Sequence, residues 1–134
     1  MNISSFDDLL VAARAQSEPQ RLLFVFAGAE LDADCTPEQR EQFLRGQGGA
    51  LVPVMSVDKT PHAISGFDAL EQESRQFDKP WVVVFVAALS GRNGVAPAGT
   101  EVDQALERMT EAIRSGNLSA FVPFDRHGNT VQFS

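Results

Sequence analysis

The stretch WVVVFVAAL, residues 81–89, decides the fold class of this chain. It is shorter than a typical helix, it is rich in β-branched and aromatic residues, and no polar residues alternate with the apolar ones. This pattern is typical of a strand that is buried on both faces. We therefore expect residues 81–89 to form a central strand of a sheet that helices cover.

Two further apolar runs predict strands earlier in the chain. LLFVFA, residues 22–27, is also apolar without alternation and indicates a buried strand. ALVPVMSV, residues 50–57, follows a group of glycines and contains Pro53. Because proline has no amide hydrogen to donate to a neighbouring strand, we expect this strand at or near an edge of the sheet, or bulged.

Four helices are predicted from cap residues that precede periodically spaced apolar residues. The cap candidates, in chain order, are Ser4 or Ser5, Thr36, Ser65 and Thr100. The second of these helices has a narrow apolar face, so it is expected to lie at the periphery. Gly116 is expected to end the last helix, because glycine readily adopts the left-handed conformation that closes helices.

The C-terminal part of the chain predicts an antiparallel pair. Residues 120–124 and 130–133 flank DRHGN, residues 125–129, a turn-rich connection of hairpin length. The predicted order is therefore α-β-α-β-α-β-α-β-β in a single domain, residues 1–134.

This order favours an α/β fold with a mixed sheet. We expect about five strands covered by about four helices, with right-handed crossovers wherever neighbouring strands are parallel. A ferredoxin-like α+β arrangement is the alternative. The order of the strands within the sheet does not follow from the sequence.

The charge balance limits the classes of partner. The chain carries 11 Lys and Arg against 18 Asp and Glu, for a net charge of −7, and the basic residues are scattered. An acidic surface repels phosphate backbones and anionic lipid headgroups. We therefore expect neither a nucleic acid nor a membrane as a partner.

The cysteine and histidine content limits which disulfides and metal sites the chain can form. One cysteine, Cys35, permits no intramolecular disulfide, and one cysteine with two histidines makes a structural zinc site improbable. The first residues resemble a polar helix start rather than a signal peptide. The sequence thus predicts a cytoplasmic protein with no cofactor and no metal.

Two loops carry residues that could bind a small anion. Asp58, Lys59 and His62 follow the second predicted strand, and Arg92 and Asn93 follow the third in a glycine-rich loop. Arginine and lysine bind carboxylates and phosphates, and a nearby imidazole would make the affinity pH-dependent. Because ligands of α/β sheets gather at the carboxyl ends of strands, these five residues are the predicted ligand-binding site. No catalytic residue is identified.

The chain resembles a family of small uncharacterised bacterial proteins, some of which are labelled ribonucleotide reductase alpha subunit. The resemblance rests on residues 22–26, residues 49–54, the DKTP loop at 58–61 and the FDRHG sequence at 124–128. It covers most of the chain but includes no motif of known chemistry. It therefore implies a shared fold and no particular activity.

Two classes of function remain open. The first is a non-catalytic protein that binds a partner or itself, and we favour it because no strong catalytic spacing is present. Proline-interrupted strands and a sparsely apolar helix also indicate surfaces that need cover, which predicts a homodimer. The second class is a binder of an anionic metabolite, or a small enzyme, that uses the strand-end loops.

Overall fold

The computed structural model describes residues 3, 5–30, 36–38, 41, 50–77 and 80–131. Three helices and four strands lie in this part of the chain. The helices are α1 (Phe6–Arg14), α2 (Phe67–Ser74) and α3 (Gly99–Arg114), and the strands are β1 (Gln20–Glu30), β2 (Ala50–Lys59), β3 (Val83–Ser90) and β4 (Val122–Phe124).

The four strands form one antiparallel sheet in the order β2-β1-β3-β4. The prediction of a central strand at residues 81–89 is confirmed except at its start, because β3 lies between β1 and β4 but begins at Val83, after Trp81 and Val82. The prediction for Pro53 is also confirmed. β2 lies at an edge of the sheet, and its pairing with β1 shifts where Phe26 is opposite Met55 but Ala27 is opposite Pro53.

The sheet is buried on both faces, which explains the strands without polar alternation. On one face, called the α1/α2 face, side chains of β1, β3 and β4 pack against α1, α2 and the indole of Trp81. On the other, called the α3 face, the remaining side chains of β1 and β3 pack against α3. Full burial of each large apolar side chain stabilises the fold by roughly 1.5–3 kcal/mol.

The predicted mixed sheet with parallel neighbours is wrong. Every pair of neighbouring strands is antiparallel, and β2 and β3 run in the same direction on either side of β1. Burial on both faces produces the same unbroken apolar runs in either kind of sheet once helices cover both faces. The sequence therefore indicated the layers but not the strand directions.

The predicted fifth strand is reduced to an isolated bridge. Thr130 pairs with Phe124, and the Val131 amide donates to the Pro123 carbonyl at 3.1 Å, so the chain does turn back alongside β4. The remainder of the predicted strand 130–133 lies outside the described residues. The other strand of this pair is shorter than the predicted 120–124, since β4 begins at Val122.

The predicted helix caps are confirmed in part. The Ser5 hydroxyl accepts the Asp8 amide at 3.3 Å and caps α1. Gly66, rather than Ser65, is the cap of α2, and Ala98, rather than Thr100, is the cap of α3, neither with a side-chain hydrogen bond. Most of the helix predicted to follow Thr36 lies outside the described residues.

Candidate functional site

The predicted ligand-binding residues lie at one end of the sheet. Asp58, Lys59 and His62 are near the C-terminal end of β2, and Arg92 and Asn93 follow β3. These two ends are on the same side, because Leu22 of β1 is opposite both Lys59 and Ala88. However, β1 separates the two strands, so their backbones are about 10 Å apart, twice the usual strand spacing. The two strands are therefore not neighbours, and a ligand that touches both loops must span β1.

The sheet directs Asp58 and Lys59 to opposite faces. Asp58 is opposite Leu23 on the α3 face, whereas Lys59 is opposite Leu22 on the α1/α2 face. The Asp58 carboxylate accepts a hydrogen bond from Arg21 Nε at 2.7 Å. These two neighbours in sequence cannot both line one pocket on a single face of the sheet.

Lys59 already forms an ion pair with an acidic side chain of α2. Its ammonium group lies 2.8 Å from one carboxylate oxygen of Glu73 and 3.0 Å from the other. The histidine of the same loop, His62, is exposed on a short 3-10 turn, residues 61–63. Any anion that approached Lys59 would compete with Glu73.

The loop after β3 is a tight reversal. Arg92 and Val95 exchange backbone hydrogen bonds of 2.9 Å, and the two residues between them, Asn93 and Gly94, have φ angles of 54° and 78°. Positive φ angles at both central positions are typical of a type I′ turn. The Gly94 amide donates to a carboxylate oxygen of Glu18 at 2.9 Å. This donor is therefore already used by a carboxylate of the same chain.

The outer edge of β2 is a second candidate site. This strand is ten residues long, and within the described part of the chain no strand pairs with its outer side. Met55 and Val57 are half-buried on the α1/α2 face, and Ser56 is exposed on the α3 face. The outer side of an edge strand is the place where another strand can add to a sheet through backbone hydrogen bonds.

An acidic flank of α3 lies beside this edge. Asp103, Glu107 and Glu111 are spaced four residues apart and so lie on one side of the helix. Together with Ser56 of β2 and Leu106, they line an open cleft of about 560 Å³. Arg114 lines the same cleft and donates to Glu111.

The acidic flank carries a net negative charge. Asp103 and Glu107 make no ion pair within the described residues. Like charges at this helical spacing destabilise a helix by about 0.2–0.5 kcal/mol per pair. The like charges of Asp103 and Glu107 therefore do not stabilise α3.

Two other clefts are present in the described residues. An apolar cleft of about 310 Å³ lies between α1 and the ends of β1, β3 and β4, and small side chains such as Ala12, Ala13 and Ala88 form much of its wall. A polar cleft of about 490 Å³ lies where the N-terminal ends of α1 and α2 meet the turn at 127–129. The carboxylates of Asp7 and Asp68 line it, which opposes the binding of an anion.

The described residues supply no metal-binding cluster of three or more His, Cys, Asp or Glu side chains. None of the helices described here is long and apolar enough to cross a membrane. Every buried side-chain nitrogen or oxygen atom in this part of the chain has a hydrogen-bond partner. The buried indole of Trp81, for example, donates to the Ser74 hydroxyl at 2.9 Å.

The edge site is only partly visible in the sequence. Pro53 indicated that residues 50–57 form an edge strand, and this signal was used. The sequence also shows the four-residue spacing of Asp103, Glu107 and Glu111. It does not show that α3 packs across β2 and so brings these carboxylates close to the edge strand. The packing direction of a helix does not follow from its own sequence.

Comparison with protein-family models, curated proteins and solved structures finds no match to this chain. The resemblance to the small bacterial family described above therefore stays a prediction.

Proposed function

We propose that this chain is a non-catalytic protein that binds a protein partner, either another chain or a second copy, along the outer edge of β2. The observation that carries the proposal is the position of β2 at the edge of the described sheet, with the apolar side chains of Met55 and Val57 only partly buried there. Addition of a strand to such an edge supplies backbone hydrogen bonds for affinity and alternating side-chain contacts for specificity.

The side chains of β2 suit this role. Apolar residues at the edge of a sheet are usually countered by charges or by a short strand, because they promote association. Here Met55 and Val57 are only partly buried next to the edge, and the sole charged residues of β2 are at its end, Asp58 and Lys59. Both of those charges are neutralised by partners within the chain.

The proposal is tested by site-specific photo-crosslinking in cells. A benzophenone amino acid replaces Ser56, which is exposed on β2, or Gln104, which is exposed on the solvent-facing side of α3, as a matched control. We expect a crosslinked protein from position 56 and none from position 104. The mass of the product distinguishes a second copy from a different chain.

Equal crosslinking from both positions, or none from position 56, would contradict the proposal. In either case the outer edge of β2 would not be the preferred contact surface.

A binder of a small anion at the strand-end loops is the second candidate function. It is favoured by one observation: the guanidinium of Arg92 is exposed at this end of the sheet and makes no hydrogen bond or ion pair within the described residues. Lys59 and the Gly94 amide, which would have to assist it, are bound to Glu73 and Glu18. This candidate therefore requires that an anion displace internal carboxylates.

A further inference from the structure

We propose that Asn93 is a site of spontaneous deamidation and that the carboxylate of Glu18 restrains this reaction. The modification lies in the loop after β3 and is independent of any partner at β2. Three observations support it: the Asn-Gly sequence at residues 93–94, the turn that these two residues form, and the hydrogen bond that Glu18 accepts from the turn.

The pair Asn93 and Gly94 supplies the groups that deamidation needs. The Gly94 nitrogen attacks Cγ of Asn93, the bond from Cγ to Nδ2 breaks, and the proton lost by the Gly94 nitrogen leaves with ammonia. Water then opens the succinimide ring at either of its carbonyls, which gives aspartate or isoaspartate. Both residues are exposed, so water reaches them.

Glycine at position 94 distinguishes Asn93 from two other exposed asparagines. Glycine has no side chain to crowd the attacking nitrogen, and no atom lies within 4 Å of the position that a Cβ of Gly94 would occupy. Asn117 and Asn129 are also exposed, but leucine and threonine follow them. Asn93 should therefore react fastest of the three once its backbone is free to rotate.

The folded turn holds the reacting atoms apart. The φ angles of 54° at Asn93 and 78° at Gly94 are typical of a type I′ turn, in which ψ of the first central residue is about +30°. At this ψ angle, Cβ of Asn93 and the Gly94 nitrogen lie on nearly opposite sides of the Cα–C bond. The five-membered ring requires them on the same side, so the peptide between the two residues must rotate before the ring can close.

Glu18 opposes this rotation. Its carboxylate accepts the Gly94 amide at 2.9 Å and so joins the loop after β3 to the segment that precedes β1. Rotation of the peptide turns the N–H bond away from the carboxylate and breaks this hydrogen bond. A reaction that proceeds from a transiently opened state follows the population of that state. Removal of the Glu18 carboxylate should therefore speed the deamidation of Asn93.

Deamidation would change both the charge and the backbone of this loop. Either product adds a negative charge to a chain whose net charge is −7 and places it next to Arg92 in sequence. Isoaspartate also adds one atom to the backbone of the turn. The longer backbone does not fit the pair of 2.9 Å hydrogen bonds that Arg92 and Val95 exchange across the turn.

The proposal is tested by incubating the folded full chain in mildly alkaline buffer and mapping its peptides by mass spectrometry that resolves isoaspartate. Glu18→Ala removes the acceptor, and Glu107→Ala is the matched control because it removes an exposed carboxylate on α3. We expect Asn93 to deamidate about two- to tenfold faster in Glu18→Ala than in the wild type, which corresponds to about 0.4–1.4 kcal/mol. The control should match the wild type, and Asn117 and Asn129 should react more slowly than Asn93 in the Glu18→Ala variant.

Two further measurements separate an effect on the loop from a loss of overall stability. In urea that unfolds the chain, the wild type and Glu18→Ala should deamidate at the same rate, and faster than the folded wild type. Native-state hydrogen exchange should be faster at the Gly94 amide of Glu18→Ala and unchanged at the amides of β3.

Four results would overturn the proposal. They are no reaction at Asn93 in the folded Glu18→Ala variant, equal rates in the folded wild type and this variant, a folded wild type that reacts as fast as the unfolded chain, and faster exchange throughout β3 in the variant. The last result would mean that global opening, rather than release of the turn, accounts for the reaction.

Discussion

Gly128 joins the C-terminal turn to the start of α1. Its carbonyl accepts the Phe6 amide at 3.0 Å, and its φ angle of 81° is in the left-handed region. A Cβ atom at this position would lie 2.9 Å from Cγ of Phe67, whose buried ring packs against Phe6 and Trp81. Both the backbone conformation and the available space therefore require glycine.

We expect Gly128→Ala to lower the free energy of unfolding by about 2–4 kcal/mol. The left-handed conformation costs roughly 1 kcal/mol for a residue with a Cβ atom, and overpacking of a core adds about 1–3 kcal/mol. Gly116→Ala is the matched control, because Gly116 has the same φ angle of 81° but no atom within 4 Å of its Cβ position. Urea denaturation of the two variants should differ; equal losses would show that the Phe67 contact has no effect.

Glu71 connects α2 to the same turn. Its carboxylate accepts hydrogen bonds from Arg75 Nε at 3.0 Å and from Arg126 Nη2 at 2.6 Å, and the Arg126 guanidinium lies over the ring of Trp81 at 4.5 Å. The hydrogen bonds from Arg75 and then Arg126 hold the pKa of Glu71 below its usual value of 4.5. The ionised carboxylate therefore stabilises the folded chain.

Because the pKa of Glu71 is lowered in the folded chain, its contribution to stability decreases as the pH falls. Its contribution to stability is fully present above the usual pKa and is lost as pH falls through the lower pKa of the folded state. We expect Glu71→Gln to be less stable than the wild type near neutral pH and equally stable in acid. Thermal melts from pH 7 to pH 3 measure this, and a constant difference across that range would contradict it.

At the scale of elements, the sequence predicts the strands and helices better than their arrangement. The apolar runs at 22–27 and 81–89 identified β1 and β3, because burial on both faces leaves a local mark on composition. Strand direction leaves no such mark, so the antiparallel pairing of β1 with β2 and β3 was missed. The caps of α2 and α3 were missed because neither helix uses a side-chain cap.

The acidic flank of α3 makes an element-scale prediction about stability. Glu107→Lys would replace a repulsive pair with an attractive one, since Asp103 precedes residue 107 by four positions in the favourable orientation. We expect the free energy of unfolding to rise by about 0.5–1 kcal/mol. Chemical denaturation measures the change.

Arg108→Glu provides the opposite charge change on another side of the same helix and should not raise the free energy of unfolding. A Glu107→Lys variant that is no more stable than the wild type would show that repulsion within the acidic flank has no effect on stability.

At the scale of the whole molecule, electrostatic repulsion between two acidic chains opposes the predicted homodimer at the β2 edge. If two copies associate there, screening of the net charge of −7 should strengthen the association. We expect light scattering to give a mass near 14.6 kDa at low salt, with any dimer forming only as salt is added. A stable dimer at low salt would favour a second copy as the occupant of the edge.

How much of a candidate site can be predicted from the sequence also depends on the fold of the whole molecule. The sequence predicts Asp58 and Arg92 at one end of the sheet, and they lie there because Asp58 is near the end of β2, Arg92 comes just after β3, and the two strands run in the same direction. It could not show that β1 lies between these strands, nor that Glu18 and Glu73 approach from distant parts of the chain. Such neighbours arise from the complete topology, and they decide whether a predicted anion site is open.

The internal carboxylates at this end of the sheet make a final prediction. If the loops form an anion site that is held closed by its own acidic residues, Glu18→Gln with Glu73→Gln should release the Gly94 amide and Lys59 and so raise the affinity for inorganic phosphate. Removing two negative charges at about 8 Å is worth roughly 1 kcal/mol in water, or about a fivefold gain. Calorimetric titration of phosphate measures the change, and adding Arg92→Ala to this double variant should reverse it. An affinity that stays the same in the double variant would show that Lys59 and Arg92 do not act on one anion.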